Sequence, residues 1–305
     1  MSKTTGFFDL QVNGYAGIDF NQDDLSAKDF HHACAQLKED GVDGILATII
    51  TANFEEMLTR LDNIVRYHKG DPLVSEIVRG IHIEGPFLKM QQGYRGAHPE
   101  KSILEAMPDQ MNELLNAAGG LTKVVTLAPE SDKDMRVTRM LADMGITVSA
   151  GHCNPSREQL HKAIDAGLSM FTHFGNGIPN TIQRHNNILQ RVLSVREHLW
   201  ICYIGDGIHI PLYALKNYLD LTGFDRSIVI TDCMAGAAAP PGRYKISHIE
   251  LDVGEDGVVR EPGKENFAGS SATMKKCYNN LTLQMGISEA DARKLTVDNP
   301  RIMCE

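Results

Sequence analysis

Apolar residues recur along this chain in two alternating rhythms. Short, nearly continuous apolar runs give way to longer stretches in which apolar positions return every third or fourth residue. The first run, 7–12, reads as a strand closed by Asn13-Gly14. Residues 29–40 then read as a helix with Phe30, Ala33, Cys34 and Leu37 on one face and Gly41 ending it. A second buried strand follows at 44–50, and a helix from 53 to about 68 repeats the pattern with Met57, Leu58, Leu61, Ile64 and Val65. The third strand, 77–83, is built from Ile77, Val78, Ile81 and Ile83. Gly85-Pro86 stops it and leaves His82 and Glu84 near its mouth.

The rhythm continues with strands at 122–128, 145–150, 168–172, 199–204 and 227–231, and with helices at 131–144, 156–166 and 211–221. Strands alternating with helices imply βαβ units and a parallel sheet, and eight of them predict a closed (β/α)8 TIM-type barrel; a doubly wound open sheet is the alternative. Beyond the eighth strand, 249–260 reads as a hairpin turning at Asp256-Gly257, inserted in the last loop. Helices at 271–285 and 288–297 finish the chain, and residues 1–305 are expected to form a single catalytic barrel domain.

Composition narrows the function. With 42% apolar residues the chain can bury a sizeable core, and its net charge of -9 argues against nucleic acid or an anionic membrane as partner. The opening residues carry no apolar leader core, and no run of about 18 apolar residues spans a bilayer, so a cytoplasmic protein is expected. The six cysteines show no CxxC pairing in a chain too long to need disulfide staples, and are read as free thiols.

Polar residues fall repeatedly just past the predicted strands, where a barrel builds its active site. Gln11 and Asn13 follow the first strand, Glu84 the third, Glu130 the fourth, His152 the fifth, His173 the sixth, Asp206 and His209 the seventh, and Asp232 the eighth. A lone histidine is more often a hydrogen-bonded rim residue, but Glu84, His152 and His173 share one phase across three units. A carboxylate with two imidazoles leaves one coordination position open, as a hydrolytic metal site needs, and lowers the pKa of bound water to roughly 7. Cys153 beside His152 is a poorer ligand candidate, because neighbouring strand residues face opposite ways. Asp232, leaving an apolar strand, is the natural general acid and base beside such a water. His98, on a loop with Gly93 and Gly96, is placed to polarise a substrate carbonyl.

Together Phe8-Asp-Leu-Gln-Val-Asn-Gly14, Gly80-Ile-His-Ile-Glu-Gly-Pro-Phe-Leu88, Gly96-Ala-His98, Leu127-Ala-Pro-Glu130, Ser149-Ala-Gly-His152, Thr172-His173, Asp206-Gly-Ile-His209, Thr231-Asp232 and Ala268-Gly-Ser-Ser-Ala-Thr-Met274 resemble the N-acetylglucosamine-6-phosphate deacetylase family of the amidohydrolase superfamily. The resemblance implies a metal-dependent barrel hydrolase that removes acetate from an N-acetylhexosamine 6-phosphate by attack of metal-bound hydroxide. Glu84, His152 and His173 would be the ligands, Asp232 the acid and base, and His98 the carbonyl-polarising group. Arg184, eleven residues after His173, would bind the phosphate, with His209 and the backbone around Asn176-Gly177 completing the substrate site. Many amidohydrolases hold a second metal with His-x-His after strand one. Here Gln11-Val-Asn13 stands there, which implies one divalent ion per chain, zinc first, with iron(II) or another divalent ion sharing these ligands. A homodimer is implied, since part of the phosphate clamp comes from a neighbouring subunit in the family.

The chain departs from the family pattern in the loop His173-Phe-Gly-Asn-Gly-Ile-Pro179, in His185-Asn186-Asn187, and in the small β-sandwich that family members add to the barrel, which is not expected here. The altered loop keeps open a related hydrolase for another amide or a lactone. A barrel that only binds sugar phosphates is a further alternative, although the intact ligand and acid/base set argues for turnover.

Overall fold

In the computed structural model, which describes residues 6–263 and 267–304, the apolar runs become eight strands: β1 Phe7–Val12, β2 Val42–Ile50, β3 Val78–Glu84, β4 Thr122–Leu127, β5 Thr147–Ala150, β6 Leu168–Phe171, β7 Trp200–Ile204 and β8 Ser227–Ile230. Each pairs in parallel with the next in chain order. The ends meet where Val12 bridges Cys233, with the Asn13 N–H donating to the Cys233 carbonyl at 2.8 Å. The sheet is therefore the expected (β/α)8 barrel, and the open-sheet alternative falls. Residues 1–5, read above as carrying no leader core, lie outside the described residues. No described helix is long and apolar enough to cross a membrane.

Inward-facing Phe8, Leu10, Leu46, Val124, Met170, Cys202, Ile204, Ile228 and Ile230 pack into one apolar cluster that fills the barrel. Above it, toward the carboxyl ends of the strands, the filling turns polar. His82 is fully buried between the Leu10 carbonyl (Nδ1, 3.1 Å) and the Thr126 hydroxyl (Nε2, 2.7 Å), and burial pushes its pKa down to about 4. It is a structural group beneath the site. Strand β1 changes register between Asp9 and Val12, where it carries one more residue than β2. A bulge of this kind re-aims side chains, and here it delivers Gln11 and Asn13 to the polar layer.

The closing seam is partly made by a side chain. Asp9 Oδ1 accepts the backbone N–H groups of Gln11 (3.2 Å) and Thr231 (3.3 Å), and Oδ2 accepts the Thr231 hydroxyl at 2.5 Å. Burial dominates these hydrogen bonds and pushes the Asp9 pKa from 3.8 to about 7. The fold therefore holds a proton that the unfolded chain releases. That contribution is complete below pH 3.8, shrinks as pH rises and is gone above about pH 7, a span worth roughly 4 kcal/mol. Asp9→Asn mimics the protonated acid, so the loss of urea stability between pH 5 and pH 8 is expected to shrink by about 3 kcal/mol in the variant. An unchanged difference would mean that Asp9 is ionised in the fold.

Most elements stand where the pattern put them, with corrections. The predicted 249–260 hairpin is part of a three-stranded antiparallel sheet, in which β9 Gly242–Ile246 pairs along its whole length with β10 Ile249–Val253, and β10 with β11 Val259–Arg260. The expected turn is present, with the Gly257 N–H donating to the Gly254 carbonyl. Buried Arg60 fastens this sheet to the barrel by donating to Asp23 (2.8 Å) and to the Ser247 hydroxyl (3.0 Å). The helix read over 131–144 is shortened to Arg136–Asp143, because Asp134 and Met135 both adopt left-handed backbone and Asp132 caps the helix through the N–H of Thr138. Helices Pro72–Ile77 and Pro108–Ala117, each opened by proline, and Ile188–Leu193 add to those expected. At the end of the chain, Thr273 rather than Ser271 starts the helix Met274–Asn279, which continues in a wider π-type turn over Asn280–Gln284.

Candidate active site

Three side chains reach the mouth by the same device. His152, His173 and Asp232 each stand two residues beyond the ends of β5, β6 and β8, and each adopts a left-handed backbone (φ 49°, 31° and 49°). Such a conformation costs a residue with a β-carbon about 1–3 kcal/mol and persists where the surroundings impose it, most often at functional sites. Glycines make room for the first of them. A β-carbon on Gly177 would lie 2.8 Å from His152 Nδ1, and one on Gly96 would lie 2.8 Å from His152 Cε1. Loops from two parts of the chain thus close on one imidazole, and only glycine fits at either position.

Glu84, the last residue of β3, sits beneath these rings and is 3% exposed. Its Oε1 is 3.0 Å from His173 Nε2 and 3.3 Å from His152 Nε2, while Oε2 accepts from Gln11 Nε2 at 3.2 Å. Gln11 is held in turn by the Thr172 hydroxyl at 2.6 Å. Burial alone would raise the Glu84 pKa, but the hydrogen bonds and charges of His152 and His173 outweigh it and hold the carboxyl well below its ordinary range. His152 Nδ1 faces the Tyr94 carbonyl at 2.8 Å, which leaves Nε2 turned toward Glu84. A ring nitrogen anchored on a carbonyl is the usual support of a metal-binding imidazole.

His98 comes closer than its loop position suggested. It is 5% exposed, its ring packs edge-on against His152 with centroids 4.4 Å apart, and His152 stacks similarly on His173 at 4.7 Å. Glu84, His98 and His152 form a group whose ligand atoms all lie within 4.8 Å of one another. Burial first, and the neighbouring His152 second, push the His98 pKa down to about 3, so its ring is neutral at physiological pH. Its Nδ1 and His173 Nδ1 are both buried without a protein partner. An anionic carboxylate among imidazoles, with ring nitrogens left unpaired, is a donor set that fits a divalent transition-metal ion.

Asp232 faces this cluster. Its Oδ1 accepts from Asn13 Nδ2 at 2.9 Å, and burial, followed by the charge of Glu84, raises its pKa to about 6. Asn13 Oδ1 is itself buried and unpartnered. Asn176 presents a buried, unpartnered Nδ2 beside Gly177. His209 is tied to Asp206 at 2.6 Å. Glu130 accepts the Asn154 N–H at 2.5 Å and lies 3.5 Å from Lys89 Nζ, so it braces the loops on either side of His152. Cys153 belongs to the apolar core rather than to the cluster.

Arg184, the predicted phosphate ligand, makes no side-chain hydrogen bond or ion pair to these groups among the described residues. It is exposed on a loop fixed from within, where Gln183 Oε1 accepts the His185 N–H at 2.7 Å and Asn187 Nδ2 donates to the Gln183 carbonyl at 2.9 Å. Gln11 and Asn13, expected only as the amides that stand where a second metal's ligands would be, hold Glu84 and Asp232 in place, contacts that the sequence did not foretell.

No family profile matches the chain. Among curated proteins it is similar to N-acetylglucosamine-6-phosphate deacetylase of Lysinibacillus sphaericus, 31% identical over 280 residues, which cover 90% of this chain and 69% of that protein. It is also similar to N-acetylgalactosamine-6-phosphate deacetylase of Escherichia coli O157:H7, 28% identical, covering 97% of this chain and 76% of that protein. Among solved structures, a mutant N-acetyl-D-glucosamine-6-phosphate deacetylase from Mycobacterium smegmatis, in complex with N-acetyl-D-glucosamine-6-phosphate, superposes with a TM-score of 0.88 at 26% identity, covering 98% of this chain and 77% of that one.

Proposed function

This chain belongs to the N-acetylglucosamine-6-phosphate deacetylase family, and from that premise we propose that it removes acetate from N-acetylglucosamine 6-phosphate through the groups gathered around Glu84. The observation that carries the reading is the contact of one buried carboxylate oxygen with two imidazoles at 3.0 and 3.3 Å, beneath an acid whose pKa is raised to about 6. Glu84, His152 and His173 would hold one divalent ion, zinc by preference, with His98 at their edge. Held there, a divalent ion supplies Lewis acidity and lowers the pKa of water. Gln11 and Asn13 are engaged with Glu84 and Asp232, which supports one ion rather than two.

The chain's own residues then divide the work. Asp232, held by Asn13, takes a proton from the attacking water and returns it to the leaving amine. A neutral His98 donates an N–H to the acetyl oxygen as charge builds there. Asn176 Nδ2 and His209 turn toward the sugar, and Arg184 meets the phosphate. Because Arg184 stands exposed, a homodimer that brings it to a neighbouring site is the proposed assembly. Residues 1–305 are taken as one catalytic barrel domain. Cys34, Cys153, Cys202, Cys233 and Cys277 are buried thiols outside any disulfide, which suits the reducing cytoplasm as compartment.

The test is acetate release by metal-loaded protein from N-acetylglucosamine 6-phosphate, the galactosamine epimer and unphosphorylated N-acetylglucosamine. Turnover of a phosphorylated sugar is expected, and the ratio of epimers ranks the two activities named for the relatives above. Turnover of none, with the metal bound, would overturn the reading and point to another amide or a lactone. Arg184→Ala is expected to raise KM for the phosphorylated substrate by about 10-fold or more and to leave the unphosphorylated sugar almost unchanged. Equal losses on both would make Arg184 structural.

A further inference from the structure

Beyond β7 the chain runs through Gly205-Asp206-Gly207-Ile208-His209, a turn pinned from below by Asn280, whose Nδ2 donates to the Gly205 carbonyl at 2.9 Å. Asp206 uses its two oxygens differently. Oδ1 accepts the backbone N–H groups of Ile208 (2.8 Å) and His209 (2.9 Å), which shapes the turn, and Oδ2 lies 2.6 Å from His209 Nδ1. Both side chains are largely withdrawn from water. The His209 ring lies edge-on against Phe267, with centroids 5.3 Å apart. Its Nε2 has no protein partner among the described residues.

A carboxylate held ionised accepts hydrogen bonds and donates none, so the contact at Oδ2 requires a proton on His209 Nδ1. In the neutral ring Nε2 is then the one free acceptor. Resting on the substrate site argued above, we propose that Asp206 is a positioning residue for recognition: it fixes the His209 tautomer so that Nε2 accepts a hydrogen bond from a sugar hydroxyl. This goes beyond turn formation, for which Oδ1 suffices.

Asp206→Asn separates the two roles. The amide oxygen can keep both backbone N–H groups, while the amide NH2 faces Nδ1 and forces the ring proton to Nε2. In metal-loaded protein labelled with 15N-histidine, with His209 assigned by the signals lost in His209→Gln, the wild type is expected to carry its proton on Nδ1 and Asp206→Asn on Nε2. KM is expected to rise about tenfold with kcat within about threefold, and Asp206→Asn placed in the His209→Gln background should add no further loss. Unchanged ring nitrogens, or the same KM penalty in the His209→Gln background, would reduce Asp206 to a turn-former and overturn the proposal. The nitrogen measurement needs no turnover. Failure of the deacetylase reading would therefore show as no acetate release with the nitrogen signals as expected, and failure of the tautomer lock in the nitrogen signals or the double-variant KM while acetate is still released.

Discussion

Replacing Asp232 by Asn is expected to lower kcat by about 10²-fold or more while metal content stays at the wild-type level. The side chain is buried, one oxygen is occupied by Asn13 at 2.9 Å, and the other is left to exchange a proton at the cluster. An amide of the same shape keeps the Asn13 contact through its oxygen but can neither accept nor deliver that proton. The raised pKa of about 6, set first by burial and then by Glu84, adds a second signature. Below it the carboxylate that must take the proton is lost, so wild-type kcat/KM should fall about tenfold per pH unit on the acid side, and the variant's residual rate should not follow that limb. Rates for wild type and variant between pH 4.5 and 8, with metal content measured on the same samples, check both. Near-normal turnover, or an acid limb kept in the variant, would remove Asp232 from the proton path.

The barrel was legible because its signal is local. Apolar runs at 44–50 and 77–83 and helical spacing through Met57, Leu61 and Ile64 report which faces are buried, and the polar residues past each strand report the mouth. Glu84, His152, His173 and Asp232 could be picked out because they share one phase of the repeat. What could not be read depends on contacts distant in sequence. The burial of His98 against His152 depends on the loop folding back, with the Lys89 N–H on the His152 carbonyl and the Tyr94 carbonyl on His152 Nδ1. The roles of Gln11 and Asn13 depend on a bulge in β1, and a bulge shifts the side-chain phase without leaving a mark in hydropathy. Strand β9 escaped notice because most of it is solvent-exposed, with burial only at Ile246. The left-handed turns at His152, His173 and Asp232 run against local preference. Their shapes are imposed by the packing around them, so propensity could not reveal them.

The largest loss is expected from Glu84→Gln. The substitution keeps the size of the side chain and removes the one charge on which His152 and His173 converge, in a position 3% exposed where water cannot replace it. An amide is a poor ligand for zinc-like ions. Affinity should therefore fall by more than the 10- to 100-fold that loss of an outer-shell partner costs, and acetate release should fall with it. A chelator supplies a readout independent of activity. A metal ion that binds only the folded chain, present at about 100 times its dissociation constant, stabilises by about 2.7 kcal/mol. Chelation should therefore lower the wild-type melting temperature by roughly 5 °C or more and leave Glu84→Gln unmoved. Gln11→Ala would serve as the milder control, freeing Oε2 while sparing Oε1, and should retain most of the metal. If Glu84→Gln bound metal like the wild type and shifted equally on chelation, the ion would have to sit elsewhere, and the convergence of His152 and His173 on Glu84 would be an ordinary buried ion-pair network.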